Sequence, residues 1–130
     1  MFLRSIGISL LAFLLIGVSA PLRADCIADV RHVETRRVDD NEFLLKFRVK
    51  ADNCSDQGCE GDFVFEIEGH NTTPPNRGAT QGGRSTLNFS ISPTSHSTEV
   101  TTNFIFGNHL DPDPGRWVVD MVTITETHCQ

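Results

Sequence analysis

Four cysteines carry the clearest chemistry in the sequence: Cys26, Cys54, Cys59 and Cys129. Cysteines support disulfide exchange, soft-metal ligation or nucleophilic catalysis, and the compartment decides among these. Cys54 and Cys59 are separated by four residues, which is neither a redox CxxC nor a zinc-knuckle spacing. A second group of reactive types, His70, His109, Asp111 and Asp113, lies in two polar stretches that could approach one another at one pole of the fold. Imidazoles and carboxylates brought together there would hold a transition metal. No HExxH or HxH occurs, however, and the spacing matches no metal loop, so solvated loop residues are the expected reading. The run His109-Leu-Asp-Pro-Asp-Pro-Gly115 has acids two apart but lacks the remaining ligands of a calcium loop. Its Pro and Gly mark it as a turn. Ser, His and Asp are all present, yet no G-x-S-x-G elbow exists. Glu66 and Glu68 resemble a glycosidase pair only in type, and read better as the wet face of a strand. With no Tyr and one Trp, a sugar-stacking platform is poorly supplied. Neither an enzyme, a cofactor nor a metal is expected.

The N-terminus fixes the compartment. A basic start at Arg4, an apolar run over Ile6–Val18 and small residues at Ser19-Ala20 have the form of a cleaved secretory signal, with another cleavage point after Ala24. The run is shorter than the roughly 20 residues a bilayer demands. The expected organisation is a signal peptide over 1–24 and a single domain over 25–130, secreted or periplasmic, with no membrane insertion after cleavage. Loss of Arg4 and Arg23 leaves nine cations against 17 acids, a net charge of −8. Such a surface repels nucleic acid and anionic lipid. An even cysteine count in a small exported domain predicts two disulfides.

The elements that must position these residues are strands. Phe43, Leu45, Phe47 and Val49 alternate with Leu44, Lys46, Arg48 and Lys50, a period of two. Asp62–Gly69 repeats the pattern through Phe63, Phe65 and Ile67. Ser85–Ser92 follows with Leu87, Phe89 and Ile91, and Thr98–Phe106 with Val100, Thr102, Phe104 and Phe106. Ile27–Val38 makes a weaker first strand, joined to the second through a tight turn at Asp39-Asp40-Asn41. Arg116–His128 carries apolar residues on both parities, which predicts a central or a bulged strand. Leu44, Val64 and Ile105 fall on the polar parity and would form a sparse apolar strip outside. No helical period appears. The fold class is all-β: a small, disulfide-stabilised immunoglobulin-like sandwich of six to seven strands, without the Cys…Trp…Cys signature of true immunoglobulin domains. A small barrel is the alternative.

If six strands alternate up and down, all four cysteines fall at one pole, and both parallel and crossed pairings are open. Cys26–Cys129 with Cys54–Cys59 is favoured, because it ties the termini and closes a small Gly-containing loop. The other pole collects Asp39–Asn41, Gly107–Gly115 and a long polar loop over His70–Arg84, a length usually kept for function. Of the three Asn-x-Ser/Thr sequons, at Asn53, Asn71 and Asn88, Asn71 is the expected acceptor in a eukaryotic host.

Gly61-Asp-Phe-Val-Phe-Glu-Ile-Glu-Gly69, a polar Asn/Gly loop, Gln81-Gly82-Gly83 and the late strand pair Glu99–Phe106 and Arg116–Thr125 resemble the curli-assembly periplasmic proteins of immunoglobulin-like fold. The likeness covers residues 60–125 in outline. The Cys54/Cys59 insert and the Pro-rich loop depart from it. The resemblance implies a non-enzymatic chaperone that keeps amyloid-forming subunits soluble, and no residue role is carried over.

The expectation is therefore a module binding another secreted or periplasmic protein, in chaperoning or extracellular-fibre assembly. The alternative is a secreted inhibitor or ligand-binding domain using the 70–84 loop, with His70, Arg77 and Arg84, and with His109, Asp111 and Asp113 beside them. A small metal-dependent enzyme at His70, His109, Asp111 and Asp113 ranks third.

Overall fold

The computed structural model describes residues 26–107 and 112–130. The expected signal segment over 1–24, His109 and Asp111 lie outside the described residues. Six strands follow in order: β1 Ile27–Arg37, β2 Glu42–Asp52, β3 Cys59–Asn71, β4 Thr80–Ile91, β5 Ser97–Ile105 and β6 Trp117–Cys129. They form two three-stranded antiparallel sheets, ordered β1-β2-β5 and β4-β3-β6, in a sandwich. Among the described residues there is no seventh strand and no helix.

The period-two pattern sets which face is buried. β2 turns Phe43, Leu45, Phe47, Val49 and Ala51 inward, and β3 turns Phe63, Phe65 and Ile67 to meet them. The Phe47 ring sits 5.1 Å from Phe63 and 5.0 Å from Phe65, joining the two central strands. Full burial of each such side chain stabilises by about 1.5–3 kcal/mol. Toward the loop pole, Phe106 stacks on Trp117 at 5.1 Å and meets Phe43 edge-on at 5.8 Å. Trp117 donates its indole N–H to the Pro114 carbonyl at 2.8 Å, so its one polar group is satisfied.

Strict up-and-down alternation puts the starts of β1 and β3 and the ends of β2 and β6 at one pole, and the four cysteines with them. The bonds are Cys26–Cys129 and Cys54–Cys59. Two disulfides accord with an oxidising environment, extracellular or periplasmic. No helix among the described residues is long and apolar enough to cross a membrane.

Of the two forms expected for β6 the bulged one is found: it is a sheet edge with register shifts opposite Val64/Phe65 and Glu68/Gly69, and these bulges throw its apolar residues onto both parities. Two expectations are corrected. The Leu44–Val64–Ile105 strip does not exist, because Leu44 and Ile105 belong to the outer face of one sheet and Val64 to the other. Val64 is only 6% exposed, while Ile105 is 40% exposed. The loop expected over His70–Arg84 is confined to residues 72–79, because Thr80–Arg84 pairs with Glu66–His70. Gly83 is tolerated in that ladder since Phe104 of β5 covers it, and a Cβ there would lie 2.5 Å from the Phe104 ring.

Candidate functional site

Among the described residues expected at the loop pole, His70, Arg77 and Arg84 do not share a site. His70, next to last in β3, lies on the outer face, and its Nδ1 is 2.8 Å from both carboxylate oxygens of Asp120 across the sheet. Arg84 sits within the edge strand β4, four residues from the end that pairs with His70, or about 13 Å at strand rise. Its guanidinium spans Glu126 at 2.9 Å and Glu66 at 3.7 Å. Arg77 alone of the three remains in the turn, and it is exposed. The Asp113 carboxylate accepts from the Gly115 N–H at 3.3 Å, a local turn bond. The turn itself is organised by Asn71, which is buried rather than offered to solvent. Its Oδ1 accepts from the Thr73 N–H at 2.9 Å and the Thr73 hydroxyl at 2.8 Å, and its Nδ2 donates to the Pro114 carbonyl at 3.4 Å. The expected glycan acceptor is thus a structural amide. Asn71, Thr73, Pro74, Pro75, Asn76, Asp113 and Gly115 enclose a small polar cleft of about 250 Å³.

The feature that stands out lies in the sheet edges. Each sheet has two, so the sandwich has two seams: β1 beside β6, and β4 beside β5. The first is guarded and sewn. β1 carries Asp29, Arg31, Glu34, Arg36 and Arg37 and has a register shift between His32 and Glu34. β6 carries Asp120, Glu126 and His128 and two shifts. Cys26–Cys129 joins them at one end. At the other, Arg37 Nη2 donates to the Trp117 carbonyl at 2.6 Å, and Arg116 pairs with Asp40 at 2.9 Å.

The second seam has none of these guards. β4 and β5 run without a register shift against their neighbours, contain no Pro, and carry one charge each, Arg84 and Glu99. Both charges are turned onto their own sheet, Arg84 as above and Glu99 to Arg48 at 3.2 Å. No ladder joins β4 to β5. Across the seam, the Gln81 amide oxygen accepts the Gly107 N–H at 2.7 Å, and Phe104 rests on Gly83. Between these points and the 92–96 connection, Ser85, Leu87, Val100 and Thr102 are only half-buried. A strand edge presents unpaired N–H and C=O groups, and natural sheets protect it with charge, proline or bulges. β4 and β5 are two adjacent, regular edges of 12 and 9 residues, rich in Ser, Thr, Asn, Gln and Gly, with that protection missing. The arrangement can accept an extended chain as an added strand.

Edge order was not visible in the sequence. The one available signal was the contrast in charge between the Thr80–Ile91 and Ser97–Ile105 segments and the Ile27–Arg37 segment. Comparison with protein-family models, curated proteins and solved structures returns no match.

Proposed function

We propose that this chain is a secreted or periplasmic protein-binding module. It pairs the free β4 and β5 edges with an extended, strand-forming segment of another protein and so holds that protein back from fibre growth. One observation carries the reading: two long, regular, nearly uncharged edges lie side by side on a sandwich whose other seam is bulged, charged and disulfide-bonded. Strand addition supplies main-chain hydrogen bonds without a deep pocket, and a capped growing strand cannot template the next. The resemblance to curli-assembly proteins points to the same class of partner.

The test is the fibrillation kinetics of a curli-type subunit with substoichiometric oxidised domain. A prolonged lag is expected. Ser85→Lys with Thr102→Lys, which place inward-pointing charge on the two free edges, should restore the lag of the subunit alone. Thr127→Lys, on the sewn seam, should leave the effect intact. No lag extension by the wild-type domain would refute the reading. Retention by the edge variant, with loss on shortening the 72–79 turn, would shift it to an inhibitor or ligand-binding domain working through Arg77 and the adjoining 250 Å³ cleft.

A further inference from the structure

The two disulfides are in contact. Cys26 Sγ lies 3.0 Å from Cys59 Sγ, although these two atoms belong to different bonds, and the sulfurs of Cys26, Cys54 and Cys59 all lie within 4.8 Å of one another. Backbone pairing holds the cluster independently of the sulfur bonds. Gly61 pairs with Cys129, and Glu60 and Gln130 exchange N–H···O bonds at 2.8 and 3.3 Å, fixing the start of β3 against the end of β6. Gly58, at φ +98°, turns the chain into Cys59 where a Cβ would collide with the Ile91 carbonyl. The four sulfurs differ in access. Cys59 is fully buried, Cys26, Cys54 and Cys129 are half-buried, and Cys54 lines an open cleft of about 410 Å³ with Asp52, Ser55, Asp56 and His96.

We propose that the four cysteines form a thiol–disulfide exchange relay, with Cys54 as its entry and thiols of small molecules or extended peptides as its substrate. A substrate thiolate in the cleft attacks Cys54 Sγ. The Cys54–Cys59 bond breaks, its electron pair stays on Cys59, and a substrate–Cys54 mixed disulfide forms. The Cys59 thiolate then attacks Cys26 Sγ beside it. A Cys26–Cys59 bond forms, the Cys26–Cys129 bond breaks, and the pair leaves on Cys129. A second substrate thiolate attacks the substrate sulfur of the mixed disulfide and releases Cys54. Two substrate thiols become one disulfide, two electrons enter the protein, and the two protons end on Cys54 and Cys129. The internal step removes Cys59 as a competitor for the mixed disulfide, so the intermediate is not simply reversed. Attack at the accessible sulfur with departure of the neighbouring one follows the rules of thiol exchange.

The experiment treats the oxidised, folded protein with one equivalent of dithiothreitol, quenches with acid, alkylates with N-ethylmaleimide and maps the peptides without reduction. The relay requires equal loss of the Cys54–Cys59 and Cys26–Cys129 bonds, appearance of Cys26–Cys59, and alkylation at Cys54 and Cys129. A product that keeps Cys26–Cys129 and is alkylated at Cys54 and Cys59 would overturn it, as would survival of both original bonds. A Cys54→Ser variant gives an independent reading. Its three remaining cysteines should divide between Cys26–Cys59 and Cys26–Cys129, whereas Cys26–Cys129 alone with a free Cys59 would count against the relay.

Discussion

Where β1 meets β6, the sheets are held by a disulfide at one pole and by the Arg37 guanidinium on the Trp117 carbonyl at the other. Where β4 meets β5, they are held by a phenylalanine ring on a glycine and by one glutamine amide. The same sandwich therefore has one edge pair closed to other chains and one left open. On the proposed function, stability and binding are kept at different seams. The sewn seam spends its side chains on bulges, charges and cross-links, all of which work against strand addition. The open seam keeps flat, hydrogen-bonding backbone available, and its half-buried Leu87, Val100 and Phe104 supply an apolar floor.

The largest contrast should come from the disulfides. Cys26–Cys129 closes a sequence separation of 103 and Cys54–Cys59 one of 5. In the chain-entropy model their removal costs about 4.7 and about 2 kcal/mol respectively. Urea unfolding of Cys26→Ser/Cys129→Ser should show the larger loss, together with faster amide exchange in β1 and β6. Equal losses would mean that the termini are held by packing alone.

Next in size is the pair of neighbouring glycines on β4. Gly83→Ala forces Phe104 aside and should cost about 1–3 kcal/mol as an overpacking change, loosening β4 and β5 in hydrogen exchange while β1 and β6 keep their protection. Gly82→Ala meets only ordinary contacts, the nearest at 3.6 Å. It should be neutral or stabilise by about 0.5–1 kcal/mol. Similar effects at both positions would remove Phe104 from its role at the seam.

The smallest effect concerns the sewn side. The hydrogen bond from Lys46 holds the Glu34 carboxyl below its ordinary value, with the Lys46 charge acting in the same direction, and Lys46 is raised for the same reasons. The pair's contribution is thus present at neutral pH. It is lost on acidification as pH falls through the lowered Glu34 value, and again in strong alkali as Lys46 deprotonates. Glu34 is exposed and Lys46 only half-buried, so the gain is small. NMR titration of Glu34 in wild type and Lys46→Met should show the carboxyl returning toward its ordinary value in the variant.

Much of this architecture was legible in the sequence, because period two is local. Phe43 to Val49 and Phe63 to Ile67 name the core and its faces directly, and parity alone places all four cysteines at one pole. What escaped depended on partners distant in sequence. Thr80–Arg84 reads as a loop because Gly82 and Gly83 have no side chains for a strand, and only Phe104, brought in from β5, supplies what they lack. Asn71 reads as a solvated sequon until Gly115, Thr73 and Pro114 close around it. Arg84 and His70 read as loop anchors, but the β3 register assigns them to Glu66, Glu126 and Asp120 on the sheet face. The two seams follow from strand order, which no local pattern encodes.

On the proposed function, β4 and β5 are the docking edges. Hydrogen-exchange footprinting of the oxidised domain, alone and with an excess of monomeric fibre subunit, tests it most directly. The expected result is protection gained along Thr80–Ile91 and Ser97–Ile105, with Ile27–Arg37 and Trp117–Cys129 unchanged. Protection gained in β1 and β6, or confined to residues 72–79, would contradict it.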